Sequence, residues 1–100
     1  MIKHIVSWEL NEMSQAEKEQ HLDEMRDLLL DLKNQIKHIH SLSVGINHKD
    51  TPVDNFDIIL ISEFKSIADL DKYRTHPAHL NFIKQISRYR KRKVAVDYEI

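Results

Sequence analysis

Tyr73 to Phe82 reads YRTHPAHLNF, a stretch that holds one phenol and two imidazoles on either side of a proline. A phenol donates a hydrogen bond to an oxygen that gains negative charge, and a neutral imidazole accepts a proton near pH 7. The residue before a proline avoids the helical region, while proline itself favours the first helical position. His76 is therefore expected near an N-cap, Pro77 at N1 and His79 at N3. The positive end of a helix macrodipole disfavours a protonated imidazole in the first turn. His79 then suits a general base, with Tyr73 on the preceding helical segment as its hydrogen-bond donor. A structural reading fits the same residues: His76 caps a kinked helix, His79 satisfies a buried polar contact and Tyr73 fills the core.

Two histidines at i, i+3 also resemble half a metal site, but the intervening proline distorts that geometry and no third ligand is evident. His38 and His40 share strand parity with His48, and solvent-exposed strand positions account for them. No metal is assigned. In the first segment His4, Val6 and Trp8 alternate onto one face, where they are expected to line a cavity or pack in the core. His76 joins them as a candidate ligand contact.

The elements that position these groups follow from the apolar period. Ile2, Val6, Trp8 and Leu10 alternate with Lys3, Ser7 and Glu9, a strand pattern. Ser14-Gln15-Ala16-Glu17 forms a capping-box signature ahead of a helix whose Leu22, Met25, Leu29, Leu32 and Ile36 recur every three or four residues. From about His38 to Asn47 the period returns to two, with Leu42, Val44 and Ile46 on one face. Gly45, the single glycine of the chain, predicts a bulge or a close backbone approach. HKDTPVDN (48–55) reads as a polar turn, and FDIILISEF as a strand buried on both faces. Ser66 caps a second helix carrying Ile67, Leu70 and Tyr73; it is interrupted at Pro77, after which Leu80, Ile83 and Ile86 resume the stripe. VAVDYEI closes the chain as a strand. The basic run RYRKRK (88–93) reads as a solvated helix end, where cations meet the negative pole of the dipole.

This order, β-α-β-β-α-β, is the ferredoxin-like α+β arrangement: one antiparallel sheet with both helices on one side. Ile5, Ile59 and Ile61 are then apolar on the uncovered face. A contiguous apolar patch of that kind marks an interface, and stacking on the same sheet of a second copy is the simplest remedy. A homodimer through the sheet face opposite the helices is expected.

The composition narrows the function classes. One hundred residues make a single domain, 1–100, and a chain of this size buries only roughly two-thirds of its unfolded surface, so a partner subunit would add stability. With 15 basic and 16 acidic residues the net charge is −1, which gives no global attraction to nucleic acid or anionic membrane. The absence of cysteine excludes disulfides, thiolate metal sites and a cysteine nucleophile, and fits a reducing compartment. MIKHIVSWEL reads as a strand rather than a signal peptide, and no segment approaches the ~20 apolar residues of a membrane span. The cytoplasm is the expected location. One glycine and these spacings also exclude a glycine-rich phosphate loop, a Rossmann fingerprint and a serine-histidine-acid pattern.

MIKHIVSWEL, FDIILISEF and DLDKYRTHPAHLNF together resemble the stress-responsive dimeric α/β-barrel (Dabb) family over essentially the whole chain. Lys3-His4 and the Tyr73, His76, Pro77, His79 motif carry the resemblance. It implies a ferredoxin-like protomer and a dimer whose sheets close into a barrel. Many bacterial members have no assigned activity, and plant members include stress-induced proteins. One branch contains a polyketide cyclase that performs an intramolecular aldol condensation without cofactor. By resemblance its acid/base pair falls on Tyr73 and His79, and its first-strand histidine on His4. That branch has a further histidine in the third strand, where this chain has Ile58, and an apolar region where this chain has RYRKRK. The resemblance thus implies cofactor-free proton transfer on a small carbonyl compound, in a pocket between the sheet and the second helix. The competing reading is a non-catalytic, stress-associated dimer in which the same motif only holds the helix kink.

Overall fold

The computed structural model describes residues 1–100. Four strands, β1 (Ile2–Leu10), β2 (Ser41–Ile46), β3 (Ile58–Phe64) and β4 (Arg90–Glu99), alternate with helices α1 (Gln15–Gln35), α2 (Ile67–Thr75) and α3 (Pro77–Ile86). The strands form one antiparallel sheet in the order β2-β3-β1-β4. This is the ferredoxin-like topology expected from the period changes, with its second helix split into α2 and α3 at His76. No helix is long and apolar enough to cross a membrane.

Period-two alternation sends one set of side chains toward the helices. On β1 these are Ile2, His4, Val6, Trp8 and Leu10, all buried; on β3 they are Ile58, Leu60, Ser62 and Phe64. Leu22, Met25, Leu29 and Leu32 of α1 complete the core above them, and Ser14 caps that helix by accepting from the Glu17 amide at 3.2 Å. Ser66 caps α2 in the same way through the Asp69 amide. Two such caps each contribute about 1 kcal/mol and mark where the chain leaves extended structure.

The other sheet face carries Ile5, Ile59, Ile61, Val94, Val96 and Tyr98, brought side by side by the pairings Ile5↔Ile61, Ile5↔Val96 and Lys3↔Tyr98. Val94, Val96 and Tyr98 are 55%, 60% and 43% exposed. The apolar run of β3 is therefore buried on only one face within the protomer, not on both. Gly45 lies in an uninterrupted register opposite Ile59, and a Cβ there would come within 3.3 Å of the Ile59 Cγ2 atom. Neither expectation for Gly45 holds: the register has no bulge, and the group that comes close is the Ile59 side chain rather than backbone.

Other expectations are corrected. The basic run does not end a helix: α3 stops at Ile86, and Arg90 to Lys93 begin β4. With no apolar residue from Arg90 to Lys93 the strand period does not show there, and pairing with β1 is what makes the segment a strand. Leu80 is 53% exposed, and α3 buries Phe82 and Ile86 instead, because the break at Pro77 starts a new helix whose stripe does not continue that of α2. Ile67, in the first turn of α2, is likewise exposed. His38 and His40 precede β2 in the turn after α1, so they form no strand-face row with His48.

Candidate functional site

The break between α2 and α3 is built by the histidines themselves. His76 is both the C-cap of α2 and the N-cap of α3, with extended backbone, and its Nδ1 accepts from the Ala78 amide at 3.0 Å. Pro77 takes N1, where no backbone donor is needed. His79, one turn on, reaches back across the break, and its Nδ1 lies 3.0 Å from the Arg74 carbonyl oxygen. A carbonyl only accepts, so Nδ1 carries the proton and donates, leaving the Nε2 lone pair free.

Beneath this corner lies a partly open cavity of about 290 Å³. Val6, Trp8, Phe82, Ile83 and Ala95 form its apolar walls, while His4, Tyr73, Arg74, His79, Arg90 and Lys93 supply the polar atoms. Trp8 and Phe82 meet edge to face at 5.9 Å between ring centroids. Tyr73 packs against His79 at 4.4 Å, Phe64 at 5.2 Å and His4 at 5.8 Å. One strand residue, one residue at the end of α2 and one at the start of α3 thus converge on one side of the cavity.

The electrostatics give these groups distinct states. Burial holds the Tyr73 phenol well above the usual tyrosine range, outweighing the opposing influence of Arg74, so the hydroxyl stays protonated and keeps a proton to donate. Burial also lowers the His79 pKa, against the raising effect of its bond to the Arg74 carbonyl, with Lys93, His4 and Arg74 adding to the decrease. His79 is therefore neutral at pH 7, as its place in the helix predicts, but desolvation is the leading cause.

His4 is held from its other side. Its Nδ1 hydrogen-bonds the Asp97 Oδ1 atom, and Asp97 Oδ2 accepts from Arg74 Nη2 at 2.6 Å. The register His4↔Asp97 places the pair side by side on the helix-facing side of the sheet. A carboxylate accepts, so His4 Nδ1 donates and Nε2 is the nitrogen left for a ligand. Arg74 anchors both halves of the site, through its side chain to Asp97 and its carbonyl to His79.

His4, Val6, Trp8, Tyr73 and His79 come together around the cavity, whereas His76 is not among its lining residues and caps α3. Asp97 and Arg74 were not singled out from sequence, nor were Arg90 and Lys93 as cavity residues. Asp97 had a signal: it shares strand parity with Ala95 in VAVDYEI, a polar position on a face turned toward the helices. A larger groove of about 760 Å³ between α1 and the end of α3 is open to solvent and lined by charged groups such as Glu24, Asp27, Lys84 and Arg88. It gathers none of the motif residues. No three His, Asp or Glu side chains come together as a metal-binding group.

A protein from Bacteroides fragilis NCTC 9343, described as dimeric, ferredoxin-like and of unknown function, is similar at 30% identity and TM-score 0.90, over 99% of this chain and 95% of that one. A Dabb family protein from Mesorhizobium loti matches at 20% identity and TM-score 0.74, over 99% and 95% of the two chains. Hydroxynitrile lyase from Passiflora edulis matches at 22% identity and TM-score 0.79, over 99% and 92%. At those two lower identities the likeness is one of fold. No curated protein matches. Residues 2–100 match the Stress responsive A/B Barrel Domain (Dabb), and the chain belongs to that family.

Proposed function

We propose that this protein is a homodimeric barrel that binds a small carbonyl compound in the cavity under α2 and α3 and transfers protons on it without a cofactor. The observation that carries this reading is the pairing, in one cavity, of a protonated phenol, Tyr73, with a neutral imidazole, His79, whose proton sits on Nδ1. In the proposed chemistry His79 Nε2 removes a proton next to the carbonyl or from a hydroxyl. Tyr73 donates to the oxygen that gains charge, and His4, oriented by Asp97, provides a further polar contact. Val6 and Trp8 form the apolar wall that excludes water, and His76 sets the start of α3. Cyclase and isomerase steps have this form. The fold shared with a hydroxynitrile lyase supports the same class, since a hydroxynitrile reaches its carbonyl by losing a proton and cyanide.

The dimer is proposed through the apolar sheet face of Ile5, Ile59, Ile61, Val94, Val96 and Tyr98, in keeping with a 30% identical relative described as dimeric. The cytoplasm is its proposed setting, consistent with the lack of cysteine.

One observation favours a second, non-catalytic reading. Both motif histidines use a ring nitrogen to hold the helix break, His76 on the Ala78 amide and His79 on the Arg74 carbonyl. Proton exchange separates the two. A panel of small ketones and oxo acids is incubated with the protein in D2O, and loss of the α-proton signal is followed by NMR. The acid/base reading expects exchange on at least one compound, slowed ~10²- to 10⁴-fold in His79→Gln. Exchange that is absent across the panel, or equal in the variant, refutes it.

A further inference from the structure

Four consecutive cations, Arg90 to Lys93, begin β4. In a regular strand Arg90 and Lys93, three apart, would face opposite sides of the sheet. Here the β1–β4 register shifts between Glu9 and Leu10: Glu9 pairs with Arg92 and Leu10 with Arg90, so Lys91 is the extra residue of a bulge. The bulge sorts the cations by face. Lys91 and Arg92 both approach Glu9 on the outer side, at 3.9 and 2.8 Å, and the Arg92 guanidinium holds the Glu9 carboxyl below its usual range. Arg90 and Lys93, opposite the inward-facing Leu10 and Trp8, turn into the cavity. Neither has an acidic partner within ion-pair distance, and no Asp or Glu lines the cavity.

We propose that Arg90 and Lys93 bind the carboxylate of a small oxo or hydroxy acid whose carbonyl or hydroxyl lies against Tyr73 and His79. This deepens the reading of the cavity as a ligand pocket and rests on it. An arginine fork beside a lysine matches the two oxygens of a carboxylate. A phosphate site built on backbone amides is not offered: the Ala78 amide at the head of α3 is taken by His76, and Gly45 lies on the other sheet face. At about 30 Å³ per water-sized group, a cavity of about 290 Å³ holds a molecule of on the order of ten non-hydrogen atoms, with Val6, Trp8 and Phe82 around its short apolar body.

Trp8 is the single tryptophan and lines the cavity, so its fluorescence reports occupancy directly. The probes are 4-methyl-2-oxopentanoate, the neutral dione 5-methylhexane-2,3-dione of matching shape, and inorganic phosphate. The oxo acid is expected to bind at least about tenfold more tightly than the dione, an advantage that shrinks as salt is raised from about 0.05 M to about 0.5 M. In Arg90→Gln/Lys93→Gln, with unchanged circular dichroism, the two organic probes are expected to bind alike. Equal binding of acid and dione to the native protein overturns the carboxylate site while leaving the pocket reading intact. Phosphate competing as well as the oxo acid also overturns it, in favour of a general anion site. No response of Trp8 to any probe overturns both readings. The salt comparison needs no variant, so a misfolded double mutant does not rescue the idea.

Discussion

Val96→Asp is expected to break the dimer while leaving the protomer folded. Val96 is 60% exposed in the protomer and pairs with Ile5 at the centre of the apolar sheet face. Full burial of a valine side chain is worth roughly 1.5–3 kcal/mol. Covering the exposed three-fifths of Val96 therefore contributes about 1–2 kcal/mol per copy, and a two-fold interface contains two copies. Losing both costs about 2–4 kcal/mol of association, which raises the dissociation constant roughly 30- to 1,000-fold. The paired carboxylates, desolvated near the symmetry axis, push it further in the same direction. Val53→Asp is the control, since Val53 is fully exposed in the turn between β2 and β3 and should leave assembly unchanged. Sedimentation velocity over a concentration series reads both variants. A native protein that sediments as a monomer at micromolar concentration refutes the sheet-face dimer. So does a Val96→Asp protein with the native dissociation constant.

Two further expectations concern the site. Tyr73→Phe keeps the ring contacts with Phe64, His4 and His79 and should change unfolding free energy by less than ~1 kcal/mol, whereas Tyr73→Ala should cost ~3–5 kcal/mol; a loss above ~2 kcal/mol for the Phe variant, by urea denaturation, would make the hydroxyl structural. His79 has its folded pKa below the unfolded value of about 6.5, so the unfolded chain binds the extra proton first. Its contribution to stability is full above pH ~6.5 and is lost as pH falls through the folded pKa, with a slope of at most ~1.4 kcal/mol per pH unit. Urea midpoints for native and His79→Gln protein between about pH 7 and pH 5 should diverge in that sense; parallel curves would refute a depressed His79.

The site was partly legible because local chemistry wrote part of it into the chain. Proline geometry marked the helix restart, and the structure has the expected cap at His76, N1 at Pro77 and N3 at His79. Strand parity put His4, Val6 and Trp8 on one face, and they share the cavity wall. Asp97 and Arg74 were not legible, because Asp97 meets His4 across 93 positions of chain and only the β1–β4 register decides that meeting. The basic run was misread for a related reason. Tyr89 is buried and Arg90 already pairs with Leu10, so β4 begins earlier than its apolar residues suggest.

By itself the sequence determined the order of elements, the faces that β1 and α1 turn inward, the uncovered apolar sheet face and the helix break. These follow from period, caps and proline, which act over a few residues. Only the tertiary structure decided which nitrogen of His79 is free, that Asp97 holds His4, and that a single bulge turns Arg90 and Lys93 into the cavity while Lys91 and Arg92 go to Glu9. Those outcomes depend on the pairing of distant strands. A shift of one residue exchanges the two faces of the sheet, and no local pattern in the chain specifies where that shift falls.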